Sequence, residues 1–297
     1  DGRIDILTDA RHGWRNNSWQ TDVLCLSGQT NRVIRLATGT ASKDDPVAQH
    51  HEKIGTMKIY DSLRDVMIRR HCHDNNASIT KYICENHPDV CNQLENWHRL
   101  KSQEKLLTNI ARGTNKNHGM TWHRELEDKV CSLRLHALYA VRNWNCDAEL
   151  LWELLLIPVT HYQNDHSKCL AASRCRSSLY YERSKIVIGA PKAIELLEIA
   201  LKSSNLHRNA DLYWHNMSTA TVKSFNNCLN VFQNKLISLN DDSYMVRLQL
   251  TVLHWKENVN REGVQVTSSK GKKKNLVSPS YHYKTMLWHQ YLYEITK

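Results

Sequence analysis

Asp9 and Asp74 stand 65 positions apart, each where an apolar-alternating segment meets a polar turn. If those segments are neighbouring strands, both carboxylates project from one edge of a sheet. Two carboxylates that close repel each other, and their pKa values rise unless a cation lies between them. Mg2+ or Mn2+ accepts such oxygen ligands and keeps waters for a phosphate substrate. Two ions about 4 Å apart clamp the attacking and leaving oxygens of a phosphoryl transfer. Aspartate is also common in the turn after a strand, and spacing alone leaves both readings open.

A second set is His161, His166, Cys169 and Cys175, gathered within 15 residues. Two nitrogens and two sulfurs suit tetrahedral Zn2+. The spacings are looser than those of a compact zinc finger. The competing reading puts His161 on a helix face and Cys169 in the interior as a buried thiol. Cys72, Cys84 and Cys91 flank Asp74 and read as buried small apolar groups.

The elements that must position these residues follow from periodicity. Segments 3–8, 21–26 and 32–37 alternate as half-buried strands, with a turn at Ser27–Asn31. An apolar stripe predicts a helix over 50–66. Segment 67–73 reads as a fourth strand ending at Asp74, 78–85 as a short helix and 89–95 as a fifth strand. A helix begins at Trp97. The order is β-β-β-α-β-α-β-α. With acids ending the first and fourth strands, it matches a ribonuclease-H-like core: a mixed sheet flanked by helices. Residues 1–115 are its first part. An all-α insertion follows over 116–212, with Pro191 suited to a helix first turn. Residues 213–262 complete the core with helices. Residues 263–297 give a solvated basic loop around Lys270, Lys272, Lys273 and Lys274, then a closing aromatic helix.

Composition narrows the partners. Forty Lys and Arg against 30 Asp and Glu give a net charge of +10, a field that favours polyanions. No run of 18 apolar residues exists, so no membrane span is expected. Nine cysteines at scattered spacings point to a reducing, intracellular setting, where the Asn-x-Ser sites at Asn16, Asn76 and Asn216 carry no sugar. The chain opens on Asp1 with no signal-peptide pattern, which reads as a fragment or an excised domain.

Several stretches, in this order, resemble the blocks of the Kolobok-type DDE transposases: Thr8–Arg15 (TDARHGWR), His73–Pro88 (HDNNASITKYICENHP), Leu94–Ser102 (LENWHRLKS), His161–Cys169 with Ser173–Arg176, and Ser224–Lys235 with Val252–Arg261. The resemblance covers nearly the whole chain. It implies a ribonuclease-H-like fold in which two Asp and one Glu bind Mg2+ or Mn2+ for DNA cleavage and strand transfer. Asp9 and Asp74 match the first two acids. The third is replaced: Lys223 stands before Ser224-Phe225 where the family has Glu. Glu95 replaces the usual Asp of the acidic-x-x-His block, and His98 is retained, which the resemblance places near the active site or a DNA phosphate.

The replacement removes a metal ligand and adds an ammonium. At an effective dielectric near 20, opposite charges about 4 Å apart attract by about 4 kcal/mol, which favours a Lys–Asp pair over a bound ion. The alternative third acids are Glu195, Glu198 and Asp211. Arg11, Arg15, Arg99 and Lys101 cluster in sequence around these blocks and are expected to contact DNA phosphates. The expectation is a nuclear, double-stranded-DNA-binding domain of transposase descent, impaired at Lys223. It needs no small-molecule cofactor, has a homo-oligomer among its partners, and has any base-reading module before Asp1. The rival readings are an active nuclease or strand transferase with another third carboxylate, and a non-catalytic DNA- or protein-binding scaffold.

Overall fold

The alternating segment at the start of the chain forms β1 (Ile4–His12). It runs past Thr8 because its ladder with β2 (Gln20–Ser27) continues to the pair His12–Thr21. Asp9 therefore lies inside the strand, not at its end. The computed structural model describes residues 2–13, 19–41, 43–113, 123–144, 147–213, 217–237, 239–262, 264–267, 273–276 and 278–296. The side chains at 98, 205, 210, 211 and in the last two strands fall outside the description.

A turn with Asn31 at φ 57° leads to β3 (Val33–Thr40). Asparagine tolerates that left-handed geometry better than most residues. Then come α1 (His51–Ser62), β4 (Ile68–His73), α2 (Ala77–Asn86) and β5 (Cys91–Leu94). The five strands form one mixed sheet in the order β3-β2-β1-β4-β5, with β1 antiparallel to β2 and parallel to β4. Helix α1 lies directly on β2 because Gly55 has no side chain: a Cβ there would sit 2.4 Å from Val23 Cγ2.

The middle of the chain is helical: α3 (Asn96–Arg112), a 3-10 turn at Arg124–Lys129, α4 (Val130–Asn143), α5 (Ala148–His161), α6 (Arg174–Ser177), α7 (Pro191–Lys202) and α8 (Asn205–Arg208). The Asp147 side chain caps α5 by accepting from the Glu149 and Leu150 amides, and Pro191 occupies the first turn of α7. The last part holds α9 (Ala220–Phe232), α10 (Asp241–Asn258), β6 (Val264–Thr267), β7 (Lys273–Leu276) and α11 (His282–Ile295).

The chain divides into two compact units, residues 1–92 with 219–297, and residues 93–218. Helix α3, read from sequence as part of the core, thus groups with the helical unit. In the first unit Ile6, Val23 and Cys25 of the sheet pack with Ile59 of α1 and Ile79 and Ile83 of α2, all buried. The helical unit has its own core, centred on Leu133, Leu151, Leu154 and Leu197. Two expectations are corrected. The ends of the stretch around the lysine run are strands, β6 and β7, whose antiparallel pairing of Val264–Thr267 with Lys273–Leu276 satisfies the backbone there. Cys84 is exposed, not buried, because it lies on the outer face of α2. Lys270 and Lys272 lie outside the described residues. No helix among the described residues is long and apolar enough to cross a membrane.

Candidate functional site

Strand register brings the two aspartates together. In the parallel β1–β4 ladder Leu7 pairs with Cys72. Asp9 and Asp74 each lie two positions further on, so they lie side by side, Asp9 within β1 and Asp74 just past the end of β4. Alternation sends Asp9 and Arg11 to one face of β1 and Thr8 to the other, where its hydroxyl bonds His71 Nε2 at 2.7 Å.

The face with Asp9 is covered by α9. Residues 219, 223, 226, 230 and 233, three or four apart, form the stripe that a helix presents to one neighbour. Thr219 Oγ1 donates to Asp74 Oδ1 at 3.4 Å, and Lys223 Nζ lies 3.5 Å from the same oxygen. Asn226 Nδ2 donates to Asp9 Oδ2 at 3.3 Å. The site is therefore two carboxylates under a helix that offers a hydroxyl, an ammonium and an amide. Lys223 and Asp74 are each about one-third exposed. Water screens such a pair to less than about 1 kcal/mol, so its consequence is local charge and not stability.

Two further residues of this site carry no signal in the sequence blocks. Glu52, in the first turn of α1, accepts from Asn76 Nδ2 at 2.8 Å. Burial raises its pKa and the charge of Asp74 adds to the rise, while the Asn76 bond opposes it. Lys235, after α9, has its pKa lowered by burial and by Arg11, with Asp9 opposing. Glu52 was not singled out from the sequence, because its partner Asn76 is 24 positions away.

The expected role of Arg11 as a phosphate contact is corrected. Arg11 is 2% exposed. Its Nε donates to Asn230 Oδ1, Nη1 to Gln233 Oε1 at 3.1 Å and Nη2 to the Gln233 carbonyl at 2.6 Å, and Nη1 lies 3.8 Å from Asp22. It ties β1 to the end of α9. Asp22 is pushed up to about 6 by burial, against hydrogen bonds from Tyr244 and Thr38 and the charge of Arg11. Arg69 and Arg70 pair with Asp5, near the start of β1. Arg15 lies outside the described residues.

The other expected residues are in the helical unit. Glu95 is buried and precedes α3; His98 follows in its first turn, its side chain outside the description. Arg99 is half-buried, and Lys101 is exposed with Nζ 4.8 Å from the centre of the Trp97 ring. Glu195 and Glu198 pair with Lys192 and Lys202 on the surface of α7. The side chain of Asp211 lies outside the description.

His161, His166, Cys169 and Cys175 converge. One ligand atom from each lies within 4.8 Å of all the others, a set that can hold a metal ion. His161 Nδ1 is 3.2 Å from His166 Nδ1 and 3.3 Å from Cys169 Sγ, and Cys169 Sγ is 3.9 Å from His166 Nδ1. Zn–N bonds near 2.05 Å and Zn–S bonds near 2.3 Å in a tetrahedron give edges of about 3.3 Å between nitrogens and about 3.6 Å between nitrogen and sulfur. The end of α5 supplies His161 and α6 supplies Cys175. Burial, helped by the neighbouring His166, lowers the His161 pKa and keeps the imidazole in its ligating form. Burial pushes the Cys169 thiol up to about 12, with Cys175 adding, so a thiolate there depends on a cation's charge. Outside the set, Arg176 Nη1 donates to the Cys169 carbonyl at 2.8 Å.

No family model matches this chain, and no curated protein compared with it matches.

Proposed function

We propose that the first unit is a ribonuclease-H-like core of transposase descent that binds DNA and that Lys223 has silenced as a metal-dependent nuclease. The observation that carries the reading is the Lys223 ammonium 3.5 Å from Asp74, beside the pair of aspartates that the parallel strands bring together. A divalent ion at such a pair supplies charge that polarises a phosphodiester. Here an ammonium supplies one positive charge, with no open coordination position for a phosphate oxygen. The net charge of +10 supports a polyanionic partner, and DNA in the nucleus supplies one.

Nicking of supercoiled plasmid in Mg2+ or Mn2+ tests the reading. The chain as it stands and Asp74→Ala are expected to leave the plasmid intact, and Lys223→Glu to nick it. Nicking by the unaltered chain that disappears in Asp74→Ala would make it a live enzyme. Glu52, which feels the charge of Asp74, would then be the first third carboxylate to replace.

The second unit supports a separate reading: His161, His166, Cys169 and Cys175 bind one structural Zn2+ that fastens the end of α5 to α6. The convergence of one ligand atom from each residue within 4.8 Å carries it. Purified protein is expected to contain one zinc by elemental analysis, and a chelator is expected to lower its melting temperature. Cys169→Ser should lose the metal. Protein purified without chelator and free of zinc would remove the site.

A further inference from the structure

We propose that the groove between α3 and α4 seats an unpaired base of single-stranded nucleic acid, with Trp97 as its stacking platform. The groove has a volume of about 430 Å³ and lies wholly within the helical unit. The partner class rests on the nucleic-acid reading above; the site itself does not involve the aspartate pair.

The walls divide by chemistry. Leu100, Leu135 and Leu138 form the apolar part. Trp97 stands in the first turn of α3, 54% exposed, although an indole gains more by burial than almost any other side chain. Lys101 follows one helical turn later, its ammonium 4.8 Å from the ring centre. Arg142, in the last turn of α4, adds a second exposed cation at the rim. Arg134 Nη1 is held at 2.9 Å by Glu104, the one acid among the lining residues. The lining thus carries three cations against one anion.

An aromatic face beside an aliphatic wall, rimmed by cations, complements a nucleotide. The base stacks and the phosphates meet the cations. A duplex keeps its bases stacked inside and cannot offer one without extrusion. A cationic peptide is repelled by Lys101 and Arg142. When a base arrives, the Lys101 ammonium exchanges its ring contact for a flanking phosphate, a stronger partner than an exposed aromatic face.

Fluorescence anisotropy with the whole chain tests this. The probes are a labelled oligothymidylate about 15 nucleotides long, near the upper site size of single-strand modules, and a duplex of equal length. Trp97→Ala is expected to weaken oligothymidylate binding about thirtyfold, the middle of the range for one stacked base. Trp97→Phe should restore most of it. Lys101→Ala should flatten the dependence of binding on salt by about 0.7 in the logarithmic slope. Duplex binding should be unchanged in both Trp97 variants. Unaltered oligothymidylate binding by Trp97→Ala overturns the proposal while leaving the duplex reading intact. A chain that binds neither probe overturns both. If Trp97→Ala lowers the melting temperature, the comparison of Trp97→Phe with Lys101→Ala decides. Parent-like binding and salt slope in both then count against the groove.

Discussion

Arg11 illustrates how a residue type can suggest one role and its surroundings assign another. A guanidinium beside a candidate active-site acid reads as a phosphate contact. Here all three of its nitrogens are engaged, with two residues of α9's end and with Asp22. Removing it strands a buried carboxylate and leaves the Gln233 carbonyl without its donor. Arg11→Ala is therefore expected to cost about 3 kcal/mol or more, the range for breaking a buried pair, as measured by urea denaturation. DNA affinity per folded molecule should not change. A stability loss under about 1 kcal/mol would mean that the strut is not real. Asp9 and Asp74 were legible as acids that follow alternating runs, but their adjacency was left open, since β1 and β4 pair across more than 60 residues. The burial of Arg11 was not, since its partners on α9 lie about 220 positions away. Asn226 and Thr219 were hidden for the same reason: each is an ordinary helix residue until α9 is laid on the sheet.

At the scale of elements, β4 leads into an expected acid and carries an unexpected liability. His71 and His73 are fully buried in consecutive inward positions. His71 bonds Thr8 and Tyr60, and His73 bonds Asn92 and the Asp74 carbonyl. Burial, with His73 and His87 adding, drives His71 well below the usual imidazole range; burial lowers His73 to about 4. Between that value and the unfolded value near 6.5, the unfolded chain binds the proton and the folded chain does not. Stability is thus full above pH ~6.5 and falls as pH drops towards 4. His73 alone accounts for about 3 kcal/mol, at 1.36 kcal/mol per unit. Urea midpoints across this window should show the fall, and His73→Gln should flatten it. A flat profile for the parent would contradict the neutral, buried assignment. The succession of strands and helices along the chain was legible from alternation and turn residues. The β6–β7 pairing was not: its strands are four residues each, and the lysines between and within them dilute the apolar signal.

At the scale of the molecule, two units carry two separable chemistries. The first sets paired carboxylates against an ammonium; the second gathers soft and nitrogen ligands and offers a cation-rimmed aromatic groove. The sequence showed a helical middle region but placed its start at 116, whereas the compact unit begins at Gln93. A helix pattern alone does not say which core the helix joins, and α3 contributes Leu100 and Leu107 to helical clusters. The closing helix α11 is present, yet Trp288, Tyr291 and Tyr293 on it are more than half exposed, so it covers less than its composition suggested. The central claim is that Lys223 takes the place of a cation beside Asp74. Calorimetric titration of the zinc-saturated whole chain with Mn2+ tests it most directly, beside Lys223→Glu and the double variant Lys223→Glu, Asp74→Asn. The unaltered chain should show no Mn2+ binding at the aspartate pair. Lys223→Glu should gain a binding heat and a Mn2+-dependent rise in melting temperature, and Asp74→Asn should abolish both. Mn2+ binding by the unaltered chain that Asp74→Asn removes would contradict the claim.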